Sequence, residues 1–298
     1  MSKHALEALL AEGLFAGTRA LPWPSGTGAG AALGSLARVT GLRRRVAEAN
    51  LALAFPERSA AERAAILAAH YREVGRIAAE YARLPELANA PDGEVVAEIE
   101  GLEHFEAQRG RGAIVMTGHF GNFELFGAYF TRLNPIDFVV KPLSNPRVDA
   151  LVSDLRRRAG VGIIPLGGGL KHVFRSLRAG RWVAMLADQD ARRHGVFVPF
   201  FGRLASTPEG PARLALQTGA PIMMGFIRRR PDGRHRVKFE PAYFPAGEPT
   251  EDNVRAVTAW HTARLEREIR ESPEQWFWLH RRWKTAPPPT DEDAHAPV

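Results

Sequence analysis

The chain of 298 residues contains no cysteine. Disulfide bonds, thiolate nucleophiles and thiolate metal ligands are therefore excluded together, and nothing indicates an oxidising compartment, so we expect the protein to face the cytosol. The sequence also lacks a Gly-x-Ser-x-Gly segment, which argues against the covalent serine route of α/β-hydrolases. The glycines at 26–30 follow no strand and lack the third glycine of a dinucleotide-binding loop, and no phosphate-binding loop occurs. We expect no bound cofactor.

Long apolar runs are also scarce. Residues 20–37 carry no charge, but glycine and proline recur among few large apolar side chains, so this stretch is a poor membrane-spanning helix. The preceding stretch has apolar residues at helical spacing, which fits either a helix lying in a membrane interface or a first helix packed on the core. These residues are Leu6, Leu9, Leu10, Leu14 and Phe15. No cleavable signal is visible.

Negative charge is in the minority, with a net charge of +7 and a sequence pI near 10.2. This balance favours an anionic partner, which could be nucleic acid, an anionic lipid surface, or an acidic carrier protein with its phosphorylated arm. The basic triplets at 43–45, 156–158 and 228–230 are scattered and accompany no reading helix or aromatic stacking pattern. We therefore expect no nucleic-acid binding.

The order of patterns predicts an α/β fold. Residues 41–88 are helical in pattern, and Ser59 with Glu62 forms a capping box at the start of a long helix. Apolar runs then alternate with helical patterns, at 113–117, 136–140, 161–165, 182–187 and 221–227. This alternation predicts a mostly parallel central sheet flanked by helices. We divide the chain into a helical membrane-associating region (1–90), an α/β domain (91–285) and a disordered tail (286–298).

The strongest chemical signal is the segment from Gly118 to Glu124, which follows the apolar run 113–117. It places His119 at a strand end, where open α/β sheets expose reactive groups. A pair between His119 and Glu124 requires the turn that Gly118 and Gly121 permit, and Asn122 can then cap the next helix. A carboxylate that accepts the far ring N–H of a histidine makes it a better general base. The chemistry suggested is transfer to an alcohol, although a structural histidine is the commoner use of such a position.

Other polar residues follow further apolar runs. Asp188 closes the run 182–187 and should share a sheet edge with His119, although a turn or cap carboxylate is the default interpretation of such a residue. The apolar stretch 195–201 ends near Arg203 and Ser206. It could form an apolar slot beside a polar anchor, or it could be an ordinary strand and turn. Lys141 and Arg147 could bind an anion or be solvated loop charges. The sequence has no second histidine at metal-ligand spacing, so we do not expect a metal site.

Five ordered segments resemble the late acyltransferases of bacterial lipid A biosynthesis, the lauroyl and myristoyl transferases. This family belongs to the wider glycerolipid and lysophospholipid acyltransferase group. The segments are His119-x-x-x-x-Glu124 and residues 141–147, 188–203, 219–224 and 273–284. The resemblance runs from about residue 46 to 284, and the ordered set is far more specific than any one segment.

The resemblance implies an acyl thioester donor, on acyl carrier protein or coenzyme A, and a lipid hydroxyl as acceptor at the cytoplasmic face of the inner membrane. It implies direct attack, with His119 as general base and Glu124 as its orienting partner. Positions matching the family segments would bind substrate groups or support the site. These are Lys141, Arg147, Asp188, Arg203 and Ser206.

Several alternatives stay open from the sequence. Family members also acylate other glycolipids, such as mannosylated phosphoinositides, so a lipid A precursor as acceptor follows from resemblance alone. Thioester hydrolysis would replace the lipid hydroxyl by water, and a non-catalytic binder of anionic lipid would use the basic surface only. Because residues 20–37 are poor in large apolar side chains, we expect peripheral or interfacial attachment to the membrane.

Overall fold

The structure is a computed structural model that describes residues 2–167 and 170–288. In this part of the chain the α-helices, α1 to α11 in order, are Lys3–Arg19, Trp23–Val39, Arg44–Ala54, Ala60–Tyr81, Leu84–Ala88, Leu102–Glu106, Phe123–Tyr129, Pro146–Arg158, Leu170–Arg178, Gly210–Thr218 and Glu251–Glu271. The strands, β1 to β9, are Val96–Glu100, Ala113–Thr117, Ile136–Val140, Gly162–Pro165, Trp182–Leu186, Gly195–Phe200, Arg203–Pro208, Ile222–Arg229 and His235–Phe239. Most of the tail predicted to be disordered lies outside the described residues.

The predicted α/β fold class is confirmed. Seven strands form one sheet in the order β1-β9-β8-β2-β5-β3-β4, and every neighbouring pair is parallel except β8 and β9. Each of the apolar runs expected to be a strand corresponds to a strand of this sheet. The hairpin of β6 and β7 forms a separate antiparallel sheet. The carboxyl ends of β2, β5 and β3 therefore lie side by side at one edge.

Helices cover both faces of the sheet, as the burial of the central strand β2 shows. All its residues are buried, as expected for a parallel strand that contacts helices on both sides. Ile114 and Met116 belong to the apolar cluster that includes residues of α4, α10 and α11, whereas Ala113 and Val115 belong to a second cluster with residues of α5 and α7. The alternation of side chains along the strand thus joins two cores.

The glycine-rich stretch near the N-terminus forms helix α2, which packs closely on α4. A Cβ atom added at Gly34 would lie 1.9 Å from the carbonyl oxygen of Tyr71, and one added at Gly30 would lie 2.4 Å from that of Gly75. Only glycine permits this backbone approach, so the residues that weaken the stretch as a spanning helix serve helix packing. None of the helices in the described residues has the length and apolar character needed to cross a bilayer.

Buried ion pairs join helix α4 to the sheet. The guanidinium of Arg229, at the end of β8, donates to Glu73 at 2.6 Å and to Glu80 at 2.6 and 2.7 Å. All three side chains are at most 6% exposed. Removing one member of a buried pair typically costs about 3–5 kcal/mol, because the other charge is left uncompensated. This network therefore fixes the N-terminal helices against the sheet.

Candidate active site

A tight turn after β2 presents His119 at the carboxyl edge of the sheet. Gly121 within this turn has φ +54°, and a Cβ atom there would lie 1.9 Å from the carbonyl oxygen of Ile227. Both the positive φ and the close approach require glycine. Asn122 ends the turn, where its side chain accepts the backbone N–H of Leu125 at 3.0 Å and caps α7. The predicted turn and cap are confirmed.

Asp188, at the end of the neighbouring strand β5, binds His119 in two places. The ring Nδ1 of His119 lies 2.7 Å from Oδ1 of Asp188, and the backbone N–H of His119 donates to Oδ2 at 2.8 Å. The Asp188 side chain is 3% exposed, whereas that of His119 is 26% exposed. The carboxylate therefore orients the ring from the protein interior, and the imidazole keeps a face toward solvent. The expected placement of both residues at one sheet edge is confirmed.

The segment after α11 holds this pair from the other side. The indole N–H of Trp276 donates to Oδ2 of Asp188 at 2.8 Å, and the backbone N–H of Phe277 donates to the carbonyl oxygen of His119 at 2.9 Å. The backbone N–H of Gly121 donates to the carbonyl oxygen of Gln275 at 2.8 Å. Both the carboxylate and the turn are thus fixed by residues more than eighty positions further along the chain.

Glu124 is not the hydrogen-bonding partner of His119 in the structure, and this corrects the pairing expected from the sequence. Because Asn122 caps α7, Glu124 lies in the first turn of that helix and points into the protein, where it is 4% exposed. Its carboxylate accepts two hydrogen bonds from Arg156 of α8, at 3.0 and 2.5 Å. The position at the ring Nδ1 belongs to Asp188.

The second ring nitrogen of His119 is the one available for chemistry. With the N–H of Nδ1 donated to Asp188, Nε2 carries the free lone pair. The side-chain amide nitrogen of Gln189 lies 3.3 Å from Nε2 and can donate to it. A substrate hydroxyl at the same atom would meet an acceptor aligned to take its proton.

The charges around His119 raise its pKa. Burial alone would lower the pKa, but the charge and hydrogen bond of Asp188, with a smaller contribution from the charge of Glu124, outweigh it and raise it above the ordinary value. For Asp188 burial acts in the opposite direction and raises the pKa. The bonds of Asp188 to His119 and Trp276 outweigh burial and hold its pKa well below the usual range. Asp188 is thus a permanent anion beside a strengthened base.

A small cavity of about 10 Å³, lined by both polar and apolar residues, lies behind Asp188. Three buried atoms on its lining residues have no hydrogen-bond partner among the described residues, namely Thr117 Oγ1, His261 Nε2 and Arg282 Nε. Burial lowers the pKa of His261 to about 3, so this ring is neutral at pH 7, and lowers that of Arg282 to about 10, so this side chain stays a cation. The positive charge of Arg282 on the buried side supports the ionised state of Asp188.

Ser206 supports the site indirectly. It is fully buried in β7, its hydroxyl donates to the carbonyl oxygen of Arg192 at 2.5 Å, and its own carbonyl oxygen accepts from Arg282 at 2.6 Å. Arg282 also donates to the hydroxyl of Thr207 at 2.6 Å. Ser206 therefore anchors the arginine behind Asp188, and its hydroxyl is occupied within the protein.

The three basic residues expected to bind substrate are all exposed. Lys141 follows β3 at the same sheet edge as His119 and Asp188, and Arg147 lies in the first turn of α8, whose cap is Asn145. Arg203 begins β7, on the separate hairpin. The described residues give none of these three side chains an ion pair or hydrogen bond, so all three are free to meet an anion.

Sequence reasoning missed three residues that contact His119, Asp188 or Glu124. Trp276 and Gln189 both lie in segments that carry the family resemblance, but no local pattern shows that one binds Asp188 and the other faces Nε2. Arg156 belongs to a basic triplet in which no local pattern indicates a buried contact, yet its side chain is only 14% exposed. In the described residues no group of three or more histidine or acidic side chains could hold a metal ion.

The site thus consists of a partly exposed histidine, oriented by a buried aspartate at the carboxyl edge of a parallel sheet, where open α/β folds place reactive groups. The family described as "Bacterial lipid A biosynthesis acyltransferase" matches residues 3–285. The chain belongs to this family and is an acyltransferase, as the resemblance predicted.

Three relatives align with most of this chain. The chain is 33% identical to the lipid A biosynthesis lauroyltransferase of Escherichia coli, over 90% of this chain and 88% of the relative. It is 31% identical to the palmitoleoyltransferase of the same organism, over 90% and 87%. It is 29% identical to the phosphatidylinositol mannoside acyltransferase of Mycobacterium tuberculosis, over 73% of this chain and 70% of the relative.

Proposed function

We propose that this protein transfers a fatty acyl chain from an acyl thioester to a hydroxyl of a membrane glycolipid, with a lipid A precursor as the favoured acceptor. The donor is carried on acyl carrier protein or coenzyme A. Two relatives that are 33% and 31% identical, a lipid A biosynthesis lauroyltransferase and palmitoleoyltransferase, support this acceptor. The observation that carries the chemistry is the 2.7 Å contact between Nδ1 of His119 and Asp188, which leaves Nε2 as an acceptor.

The reaction proceeds by direct attack. The acceptor hydroxyl donates its proton to Nε2 of His119 as its oxygen attacks the thioester carbonyl carbon, and the imidazolium that forms is stabilised by Asp188. The tetrahedral intermediate collapses, the carbon–sulfur bond breaks, and the leaving thiolate takes the proton from Nε2. The ester and the free thiol are formed, and the histidine returns to its neutral state.

Glu124 takes part through its charge. It contacts Arg156 rather than the ring, yet its negative charge contributes to raising the pKa of His119. We place Glu124 as the residue that strengthens the base and Arg156 as the residue that holds the Glu124 carboxylate in position. Lys141, Arg147 and Arg203 are free to bind phosphate or donor groups, and Asp188 and Ser206 complete the support of the site.

The reaction takes place at the cytoplasmic face of the inner membrane, with the protein attached at its N-terminal helices. Exposed leucines on α1 and α2 support this attachment, since Leu9 and Leu10 are 56% and 64% exposed and Leu33 and Leu36 are 47% and 58% exposed. Large apolar side chains on helices beside basic residues are typical of an interfacial surface. The donor and the lipid acceptor meet at this surface.

Another glycolipid is the second candidate acceptor. The phosphatidylinositol mannoside acyltransferase relative favours it, since its identity of 29% is close to that of the lipid A enzymes. The catalytic pair would serve either acceptor, because it contacts only the reacting hydroxyl.

The test is an incubation of the purified protein with labelled acyl-carrier-protein thioester, or acyl coenzyme A, and inner-membrane lipids of the host. Products are analysed by mass spectrometry. We expect an acylated glycolipid with the wild-type protein and with His104→Ala, a partly exposed histidine on α6, and none with His119→Ala. Free fatty acid alone would indicate hydrolysis, and product formation by His119→Ala would contradict the mechanism.

A further inference from the structure

A groove of about 330 Å³ lies between helix α3 and the C-terminal segment 281–284. One wall is a single face of α3, because its lining residues follow helical spacing. The other wall comes from the segment that follows Trp276, the residue whose indole binds Asp188. The side chains that matter most are Arg45, Val46, Leu53, Arg281, Trp283 and Lys284.

Three cations in this lining lack a counter-ion. Among residues 2–167 and 170–288, no carboxylate pairs with Arg45, Arg281 or Lys284, and their side chains make no hydrogen bond. Arg44, one residue away, is by contrast paired with Glu48 at 2.8 Å. Like charges that converge on one concavity repel each other unless an anion joins them. The groove is therefore suited to an anionic ligand.

The floor of the groove adds a second feature. Val46 and Leu53 are partly buried apolar residues, and the ring of Trp283 stacks on Phe200 with centroids 5.5 Å apart. The indole N–H of Trp283 is buried and has no acceptor among the described residues. An unsatisfied buried donor typically costs about 1–3 kcal/mol, which a ligand oxygen would recover. The ligand should thus carry both an oxygen-rich anion and an apolar part.

We propose that this groove binds the phosphate head group of a membrane lipid. The phosphate oxygens accept hydrogen bonds from the guanidinium groups of Arg45 and Arg281 and the ammonium of Lys284, with the indole N–H of Trp283 as a further donor. The glycerol or sugar and the first carbons of the chains lie over Val46 and Leu53. This site is separate from the hydroxyl-activating pair, and lipid binding there does not depend on acyl transfer.

The neighbouring surface favours a membrane lipid over a soluble phosphate. Residues leading directly into the basic run 43–45 expose apolar side chains, with Leu36 at 58%, Val39 at 74% and Leu42 at 57% exposed. Apolar side chains followed by a cluster of arginines are the composition of a surface that contacts anionic lipid head groups. A free phosphate would gain nothing from this apolar border or from the groove's apolar floor.

The groove is also linked to the catalytic edge. Asn50 lines it and donates through its side-chain amide to the carbonyl oxygens of Trp278 and His280, at 2.8 and 2.5 Å. The ring Nε2 of His280 accepts the backbone N–H of Asp190 at 2.9 Å, two residues beyond Asp188. The lipid phosphate is therefore held by the same segment that supports the active site.

The experiment measures binding of dihexanoyl phosphatidic acid, below its micelle concentration, to the full chain by titration calorimetry. The test variant is Arg281→Gln with Lys284→Gln. The control is Arg175→Gln with Arg178→Gln, which removes the same charge from exposed positions on α9. We expect at least a tenfold weaker affinity in the test variant and less than a twofold change in the control. Trp283→Phe keeps the stacked ring and removes the N–H, and should weaken binding by at least about fivefold.

Other outcomes identify the ligand or overturn the proposal. Equal losses in the test and control variants would reduce the effect to general surface charge, and equally tight binding of inorganic phosphate or coenzyme A would show that no lipid is recognised. If phosphatidic acid binds as expected, its competition with the acceptor in acyl-transfer assays would show that the site holds the acceptor's own phosphate. Binding without competition would show that the groove holds a membrane lipid other than the acceptor, which equally supports the proposed lipid site. Thermal melts check that each variant is folded.

Discussion

Replacing Asp188 by asparagine tests which of the two carboxylates near His119, that of Asp188 or that of Glu124, orients the ring. Asp188 accepts three hydrogen bonds, two at Oδ2 and one at Oδ1. Asparagine keeps one carbonyl oxygen, which satisfies the two donors at Oδ2, the backbone N–H of His119 and the indole of Trp276. Its NH2 group then faces Nδ1 of the ring, which must become an acceptor. The ring proton therefore moves to Nε2, and the histidine can no longer take a proton from the substrate.

The size of the effect follows from that change of tautomer. A positioned general base contributes about 10²- to 10⁴-fold, and loss of the imidazolium's counter-charge adds to this, so kcat should fall by about 10³- to 10⁴-fold, or roughly 4 to 5.5 kcal/mol. Stability should fall less, by about 1.5–3 kcal/mol, because the three hydrogen bonds at this side chain lose their charged acceptor. The Asp188→Asn protein should therefore be folded and nearly inactive.

The assay compares initial rates of acylated-lipid formation for wild type, Asp188→Asn and Glu124→Gln at saturating donor, with melting curves as the control for folding. Glu124 is hydrogen-bonded to Arg156 and acts on the His119 ring through its charge, so Glu124→Gln should lose less activity than Asp188→Asn. An Asp188→Asn enzyme within tenfold of wild type, combined with a thousandfold loss in Glu124→Gln, would refute this assignment. In that case Glu124 would orient the histidine during the reaction.

Three further changes test the site. His119→Ala should lower kcat by about 10²- to 10⁴-fold with an unchanged circular dichroism spectrum. Since the pKa of His119 is raised and the base must be neutral, kcat/KM should rise with pH through that raised pKa and then level off. Glu124→Gln removes a negative charge that raises this pKa, so its profile should rise at lower pH, and an unshifted profile would exclude the charge effect. Gly121→Ala should lower the free energy of unfolding by more than Gly219→Ala, which pays only about 1–2 kcal/mol of left-handed backbone strain, because only Gly121 also approaches a carbonyl oxygen. Similar melting temperatures for both variants would contradict this reasoning.

The sequence predicts the sheet because a fully buried parallel strand reads as a continuous apolar run. It also predicts the meeting of His119 and Asp188, since carboxyl ends of neighbouring parallel strands share an edge. The partner of Glu124 could not be predicted in this way. Its side chain is directed by the cap that starts α7, and Arg156 comes from another helix, 32 residues further along the chain. Spacing within one segment carries no information on such a contact.

The glycine-rich N-terminal stretch shows a similar limit. Composition correctly indicates a poor spanning helix, because glycine lowers both apolar surface and helix propensity. The reason for the glycines is their fit against α4, where the backbones of the two helices touch. Two helices that pack through Gly30, Gly34 and Gly75 cannot be matched to each other from composition, since any glycine-rich stretch offers the same small surface.

The contacts of Glu80 give a last prediction about the boundary proposed at residue 90. Glu80 of α4 accepts hydrogen bonds from Arg229 of the sheet and from the side chain of Asn122, which caps the helix carrying Glu124. A fragment of residues 91–285 would lose both carboxylates that pair with Arg229 and would expose the apolar sheet residues that α3, α4 and α5 cover. Exposing large apolar side chains costs about 1.5–3 kcal/mol each, so a few of them amount to a large share of the roughly 5–15 kcal/mol that stabilises a typical domain.

We therefore expect the 91–285 fragment to be unfolded or readily digested by protease, even though it contains both His119 and Asp188. Full-length Lys238→Gln, which removes a partly exposed partner of Glu268, is the control for loss of one ion pair and should resist digestion. A fragment with a cooperative melt and wild-type protease resistance would show that the sheet does not need α4. Since Asn122 shares its side chain between Glu80 and the cap of α7, the same contact makes the N-terminal helices part of the active-site scaffold.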